Sequence, residues 1–274
     1  IVSQDEDNIY IATNDHVVSG AETLTITFSD GTSASANIEG TDSSMDLAVV
    51  SVPLDDLSAD TRSQIRVATL GDSDELQVGQ SAIVIGNALG YGQSVSAGII
   101  SALNRQVQLQ NSDGSIITST LIQTDAAINE GNSGGALLNM KGELIGINEA
   151  KSSSTSTGAT VDNIGFAIPI DKAEESLQQL MNLKTRERVD ASQASYLGIR
   201  GSDVSYEASE MYGIPTGVVI SEVVENGPAD QAGVKSGDVL TELDGHSISN
   251  MSQLQDVLEY YAAGETVDID VQRA

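Results

Sequence analysis

Short apolar or alternating runs, cut at intervals by Gly, Asp, Asn and Ser, recur from the start of this chain to about residue 170. Runs at 9–13, 23–28, 47–52, 81–85, 99–103, 116–120 and 143–147 read as strands bounded by turn residues. Asp30-Gly31 and Asp113-Gly114 are hairpin signals. The chain has 26 glycines and 4 prolines, a balance suited to a body of many tight turns. Many short strands with little helix predict an all-β barrel architecture. Helical period enters this body at 170–183, where Ala173, Leu177, Leu180 and Met181 share one face, and this helix is expected to close it.

Residues 184–195 are polar, and a second unit begins at Tyr196. It mixes strands at 217–223, 239–243 and 266–271 with a helix at 252–262, on which Leu254, Val257, Leu258 and Tyr261 face one side. The expectation is a small α/β module whose last strand is incomplete at Gln272-Arg273-Ala274.

At 274 residues the chain is long enough for two domains and needs no staples for its core. It has no cysteine, so neither disulfides nor a thiolate metal site can hold it. A net charge of −28 repels phosphates and anionic headgroups, which excludes nucleic acid and acidic membrane surfaces as expected partners. The one basic cluster, Lys184, Arg186 and Arg188, reads as a solvated linker. No stretch approaches the roughly 18 apolar residues of a membrane span. Ile1-Val2 reads as the middle of a strand, so the expectation is a trimmed or incompletely ordered ectodomain.

Of the two histidines, His246 lies in Asp244-Gly245-His246, a turn where a solvated side chain is expected. His16 lies in Thr13-Asn14-Asp15-His16-Val17-Val18 at the end of a predicted strand. Asp46 directly precedes Leu47-Ala48-Val49-Val50, so its carboxylate enters the core and needs a partner such as an imidazole N–H. Ser133 is framed by glycines in Gly131-Asn132-Ser133-Gly134-Gly135. Such a turn lets the Gly131 and Ser133 N–H groups converge as an oxyanion hole, with Asn132 between them. A nucleophile, a base, an orienting acid and oxyanion donors are the set that serine acyl transfer requires. The order His, Asp, Ser is that of the chymotrypsin type, and differs from subtilisin and the α/β-hydrolases. Asn132 offers no charge for a newly cut N-terminal ammonium, so activation by such a cut is not expected.

These motifs, with Ile85-Gly86-Asn87-Ala88-Leu89-Gly90, Gly98-Ile99-Ile100-Ser101-Ala102, Gln123-Thr124-Asp125-Ala126-Ala127-Ile128-Asn129 and Gly165-Phe166-Ala167-Ile168-Pro169, make the chain resemble the HtrA (Deg) family of serine proteases. The resemblance implies a mainly β fold: a chymotrypsin-like double β-barrel over 1–185, a linker over 186–195 and a PDZ domain over 196–274. It implies an ATP-independent endopeptidase of protein quality control and stress response, acting outside the cytoplasm on misfolded or unfolded proteins. No cofactor or metal is implied. A homotrimer or higher multiple and a membrane anchor are family features that would lie upstream of Ile1.

In a PDZ domain, Tyr196-Leu197-Gly198-Ile199 would take a peptide's C-terminal carboxylate on backbone N–H groups, the peptide adding as a strand. Leu254 and Leu258 fit a groove lining and fit an ordinary core equally. The S1 pocket would be walled by Ala127, Ile128 and Ile164, near Asn163, favouring a small or medium aliphatic P1 residue. Glu130 fits either a resting, inactive oxyanion loop or a solvated side chain. Two other readings are a holdase, and a protease switched on by PDZ ligands.

Overall fold

The computed structural model describes residues 1–21, 23–87, 92–110, 116–150, 164–182, 189, 193–204 and 206–273. The Asp113-Gly114 turn, the 88–90 part of the glycine motif, Asn163, Lys184, Arg186, Arg188 and most of the expected linker lie outside them. The chain divides into two compact units, Ile1–Gly40 with Met45–Asn182, and Thr41–Ser44 with Leu183–Ala274.

The first unit opens with β1 (Ser3–Gln4), β2 (Asn8–Thr13), α1 (Asp15–Val18), β3 (Leu24–Thr27), β4 (Ser33–Asp42) and β5 (Leu47–Pro53). Its strands form a sheet in the order β1-β2-β5-β4-β3. The Asp30-Gly31 turn joins β3 to β4, with Gly31 at φ 82°. Central β5 is buried from Leu47 to Val52 and carries no polar side chain between Leu47 and Val50. One part of the core gathers Ile9, Val52, Leu54 and Leu57. Another gathers Val18, Ala48 and Val50.

After α2 (Ala59–Gln64) come β6 (Ser81–Gly86), β7 (Ser94–Gln110), β8 (Ile116–Thr124), β9 (Ala136–Leu138), β10 (Leu144–Glu149) and β11 (Gly165–Pro169). These six close into a barrel in the order β10-β11-β8-β7-β6-β9. Ala82, Val84, Ile100, Ile122, Leu137, Ile145 and Ala167 fill it. The run at 99–103 is only the middle of the 17-residue β7, which pairs with β6 along one half and β8 along the other. Register shifts between Ile100 and Arg105, with Asn104 at φ 54°, let one strand turn the barrel's corner.

Helix α3 (Ile170–Met181) packs on β5, β10 and β11 through a face that includes Ala173, Leu177 and Leu180. Ser73 donates through both its N–H and its hydroxyl to the Asp171 carboxylate in the helix's first turn. Those donors, the hydroxyl foremost, lower the Asp171 pKa.

The second unit contains β12 (Ile199–Asp203), α4 (Tyr206–Tyr212), β13 (Val218–Val223), α5 (Pro228–Gln231), β14 (Val239–Leu243), β15 (His246–Ser247), α6 (Met251–Leu258) and β16 (Ile269–Gln272). The sheet order is β12-β13-β14-β15, with β16 also paired to β14. The expected strand at 266–271 is therefore shorter at its start. The expected helix at 252–262 stops at Leu258, and Tyr261 beyond it is a core residue whose hydroxyl donates to Asp244 at 2.9 Å. No helix among the described residues is long and apolar enough to cross a membrane.

Candidate functional site

Asp46 ends the turn between β4 and β5 with φ 55°, a left-handed conformation that aspartate tolerates better than most residues. That turn swings its carboxylate onto α1. One oxygen accepts the His16 backbone N–H at 3.0 Å, and the other meets the ring Nδ1 at 2.7 Å. An ionised carboxylate accepts only, so this contact places the Nδ1 proton towards Asp46 and leaves Nε2 as the basic lone pair. Asp46 is 1% exposed and the His16 side chain 20%, so the ring reaches solvent while its orienting acid does not. Fully buried Asn14 completes the hold, donating from Nδ2 to the Asp46 carbonyl at 2.9 Å.

Ser133 is held by backbone. The Asn132 N–H donates to the Asn129 carbonyl at 2.9 Å, and the Gly135 N–H to the Asn132 carbonyl at 3.0 Å. Asn148 accepts the Gly134 N–H at 3.0 Å and donates its own N–H to Gly135 at 2.9 Å. Gly131 has φ 90° and Gly134 φ 75°. A Cβ at Gly134 would stand 2.1 Å from Thr13 Oγ1, so glycine is what lets this loop lie against the end of β2, three residues before His16. The Ser133 hydroxyl oxygen accepts the Ala150 N–H at 3.3 Å. Among the described residues no hydrogen bond joins it to His16, and none occupies the Gly131 or Ser133 N–H.

The side chain of Asn132 is buried and donates to the Ala127 carbonyl at 3.3 Å, tying the loop to the segment before it. Ala127 and Ile164 are exposed and Ile128 half-buried. A Cβ on Gly165 would meet three Ile128 carbons at 3.0 Å, so Ile128 lies directly on the start of β11. Glu130 is exposed, as a solvated side chain would be. His246 is half-buried in β15 opposite Leu243 rather than in an open turn.

Sequence reasoning passed over Thr13, Asn14, Asn148 and Glu149. Glu149 is the most consequential. Its carboxylate, that of Asp46 and the His16 ring offer atoms all within 4.8 Å of one another. Its signal was the one that exposed Asp46, an acid at the border of an apolar strand, here at the end of β10 instead of the start of β5. Three such groups could in principle hold a metal. However, ligands about 2.0 Å from a tetrahedral zinc stand about 3.3 Å apart. The 2.7 Å between His16 and Asp46 is instead the spacing of a shared proton.

In the second unit, Leu197 and Gly198 direct their carbonyls inward, accepting the Ala229 N–H at 3.0 Å and the Val224 N–H at 2.8 Å. Trans peptides then aim the N–H groups of Gly198 and Ile199 the opposite way. Gly198 adopts φ 75° to make this turn. Tyr196 is exposed, and β12 lies at the edge of its sheet. Helix α6 lies along β12, anchored by the Met251 N–H on Asp203 at 2.7 Å. Leu254 is 2% exposed inside the unit's core, whereas Leu258 is half-buried against that core.

The Trypsin-like peptidase domain family matches residues 1–147, and the PDZ domain family matches residues 219–273. The chain is similar to the serine protease Do-like HtrA of Lactobacillus helveticus, 35% identical over 268 residues, covering 96% of this chain and 62% of that one. Serine protease Do-like HtrB of Bacillus subtilis (strain 168) is 37% identical over 286 residues, covering 100% and 58%. The periplasmic pH-dependent serine endoprotease DegQ of Escherichia coli (strain K12) is 35% identical over 267 residues, covering 96% and 54%. The chain thus spans less than two thirds of the length of these relatives. Among solved structures, the HtrA-type protease AlgW with decapeptide matches with TM-score 0.54 and 34% identity, over 100% of this chain and 77% of that one.

Proposed function

Because the chain belongs to the HtrA (Deg) family of serine proteases, with a trypsin-like peptidase domain and a PDZ domain, we propose that it is an ATP-independent serine endopeptidase that cleaves misfolded or unfolded proteins. The observation that carries this reading is the two-point grip of buried Asp46 on His16, with the glycine-framed loop of Ser133 packed against Thr13, three residues before His16.

In this reading Ser133 Oγ attacks the scissile carbonyl while His16 Nε2 takes its proton, and Asp46 stabilises the imidazolium so formed. The N–H groups of Gly131 and Ser133 hold the oxyanion. His16 returns the proton to the leaving amine, and water then repeats the sequence on the acyl-enzyme. At rest the Ser133 oxygen accepts the Ala150 N–H and its hydroxyl makes no hydrogen bond to His16, so in this reading substrate draws it to His16 before attack. Apolar Ala127, Ile128 and Ile164 would receive a small or medium aliphatic P1 side chain. The protease domain is placed at 1–185 and the PDZ domain at 196–274, with peptide C-termini bound on the Gly198 and Ile199 N–H groups and along β12. Its groove would take Leu258 as a wall, while Leu254 supports it from the core. An extracytoplasmic setting, a homotrimer or higher multiple and an upstream anchor are part of the proposal.

The test is labelling with a fluorophosphonate alongside casein cleavage. Wild type takes up the probe at Ser133 and cleaves casein, and Ser133→Ala does neither. A folded wild type that resists the probe overturns the reading. The Ser133–Ala150 contact favours a regulated resting state, in which a PDZ ligand shifts the loop. Peptidase rates with and without a C-terminal peptide, and after removal of 190–274, decide that part; equal rates exclude it.

A further inference from the structure

We infer that Glu149 is a positioning residue for the His16–Asp46 pair, a second buried carboxylate set against the general base. The inference rests on the triad reading above and adds a member to it.

Every side chain of β10 from Leu144 to Glu149 is buried, and five of the six positions hold apolar residues, glycine or asparagine built into the barrel wall. The sixth is Glu149, 1% exposed and paired with Phe166 of β11. A carboxylate loses most of its hydration at such a position, and the fold recovers it only where a positive or proton-donating group stands near. The His16 ring, which becomes cationic on taking a proton, is one such group within reach. The ring, Asp46 and Glu149 hold their atoms within 4.8 Å of one another, brought together from α1, the turn before β5 and the end of β10. The next residue along, Ala150, donates its N–H to Ser133 Oγ. Glu149 therefore sits at the junction between the base and the nucleophile.

The arrangement favours the transition state over the ground state. As general base the imidazole starts out neutral, beside two carboxylates whose oxygens lie within 4.8 Å of each other. Once the ring takes the serine proton, the imidazolium lies close to both. An interaction that strengthens as charge develops raises kcat and leaves substrate binding alone.

Glu149→Gln keeps the size of the side chain but removes the charge and replaces one acceptor oxygen with an amide donor. We expect kcat on a peptide substrate to fall about 10-fold with KM within about twofold, the signature of an interaction made in the transition state. Glu149→Asp, which restores the charge one methylene short, should recover kcat to within about threefold of wild type. In the full-length protein the low-field proton resonance of the His16 Nδ1–H should move in Glu149→Gln and return towards its wild-type position in Glu149→Asp. The chain's two histidines are separable through a His246→Gln control.

Unchanged kcat in a folded Glu149→Gln overturns the inference, as does a loss that Glu149→Asp fails to recover or one confined to KM. If Glu149→Gln does not fold, Glu149→Asp decides alone: kcat near wild type supports the inference, and a 10-fold loss overturns it. Labelling at Ser133 separates the two levels of argument. A wild type that labels while Glu149→Gln is unaltered sinks only this inference, and a wild type that does not label sinks the triad beneath it.

Discussion

His16 and Ser133 would act on the same proton, yet the fold holds them by different means. His16 is fixed by side chains, with two oxygens of a buried aspartate on its backbone and ring and Asn14 behind that aspartate. Ser133 is fixed by main chain, through backbone bonds between its neighbours and Asn129 and Asn148 and through Gly134 and Gly135, where an added Cβ would press on Thr13 and on the Ile85 carbonyl. Buried charge-assisted bonds make the base half rigid and specific. Backbone bonds around positive-φ glycines make the nucleophile half compact, but its Oγ points to Ala150. In the proposed mechanism the base is oriented at rest, and the serine is the part that must move.

Four experiments can break or sharpen this contrast. Ser133→Ala should cost the most, on the order of 10⁶ in kcat, the scale known for loss of a triad serine. Its thermal transition should stay within a few degrees of wild type, since a half-buried hydroxyl with one 3.3 Å contact contributes little to packing. A large drop in stability would mean that the serine loop is held by its side chain after all.

Asp46→Asn should lower kcat by roughly 10⁴, the loss seen for the equivalent change in the triad template. Asparagine tolerates the φ of 55°, so the turn should survive and the loss should fall on the ring's tautomer. An NMR spectrum in which the His16 Nδ1–H resonance persists unshifted would contradict the side-chain grip.

Gly134→Ala probes the other half. The new methyl meets Thr13 at φ 75°, costing ~1–2 kcal/mol for the backbone conformation alone. A loop displaced by an ångström should lose about 100-fold in kcat. The His16 resonance should not change, and if it does the two halves are not independently held.

The smallest effect belongs to the second unit and serves as a control. Arg273 grips buried Asp238 through Nε at 2.7 Å and Nη2 at 2.6 Å, and the Lys235 N–H adds a third donor at 2.8 Å. The guanidinium, first among these, pulls the Asp238 pKa down to about 2. A carboxyl lowered on folding contributes stability above its unfolded value near 4, and loses it as pH falls from about 4 to about 2. Arg273 is half exposed, so Arg273→Ala should lower stability only slightly at pH 7 by urea unfolding. The difference from wild type should vanish near pH 2, and a difference that persists there would assign the loss to packing instead.

Most of the strands were legible because turn residues and apolar runs alternate wherever a sheet has a buried face. The long β7 was not, since its ends are rich in serine and glutamine and its corner depends on a register shift rather than on composition. The helix at 252–262 ran past its true end because Tyr261 keeps the helical spacing while packing from beyond the last turn. Leu254 and Leu258 looked alike on one face of that helix, and only the sheet beneath distinguished the core residue from the half-buried one.

The sequence by itself determined the chemistry on offer: a glycine-framed serine, a histidine closing a strand, and an aspartate at the mouth of an apolar run, in an order that names the type of hydrolase. Residue identity and local spacing suffice for that, because conformational preference and hydrophobic period are local properties. Which groups meet was decided only by the tertiary structure. The end of β10 comes to His16 because the barrel closes, and Ser133 faces Ala150 because the loop is threaded between β2 and Asn148. Those contacts join residues that lie far apart along the chain, and electrostatic distance exists only once the chain has folded.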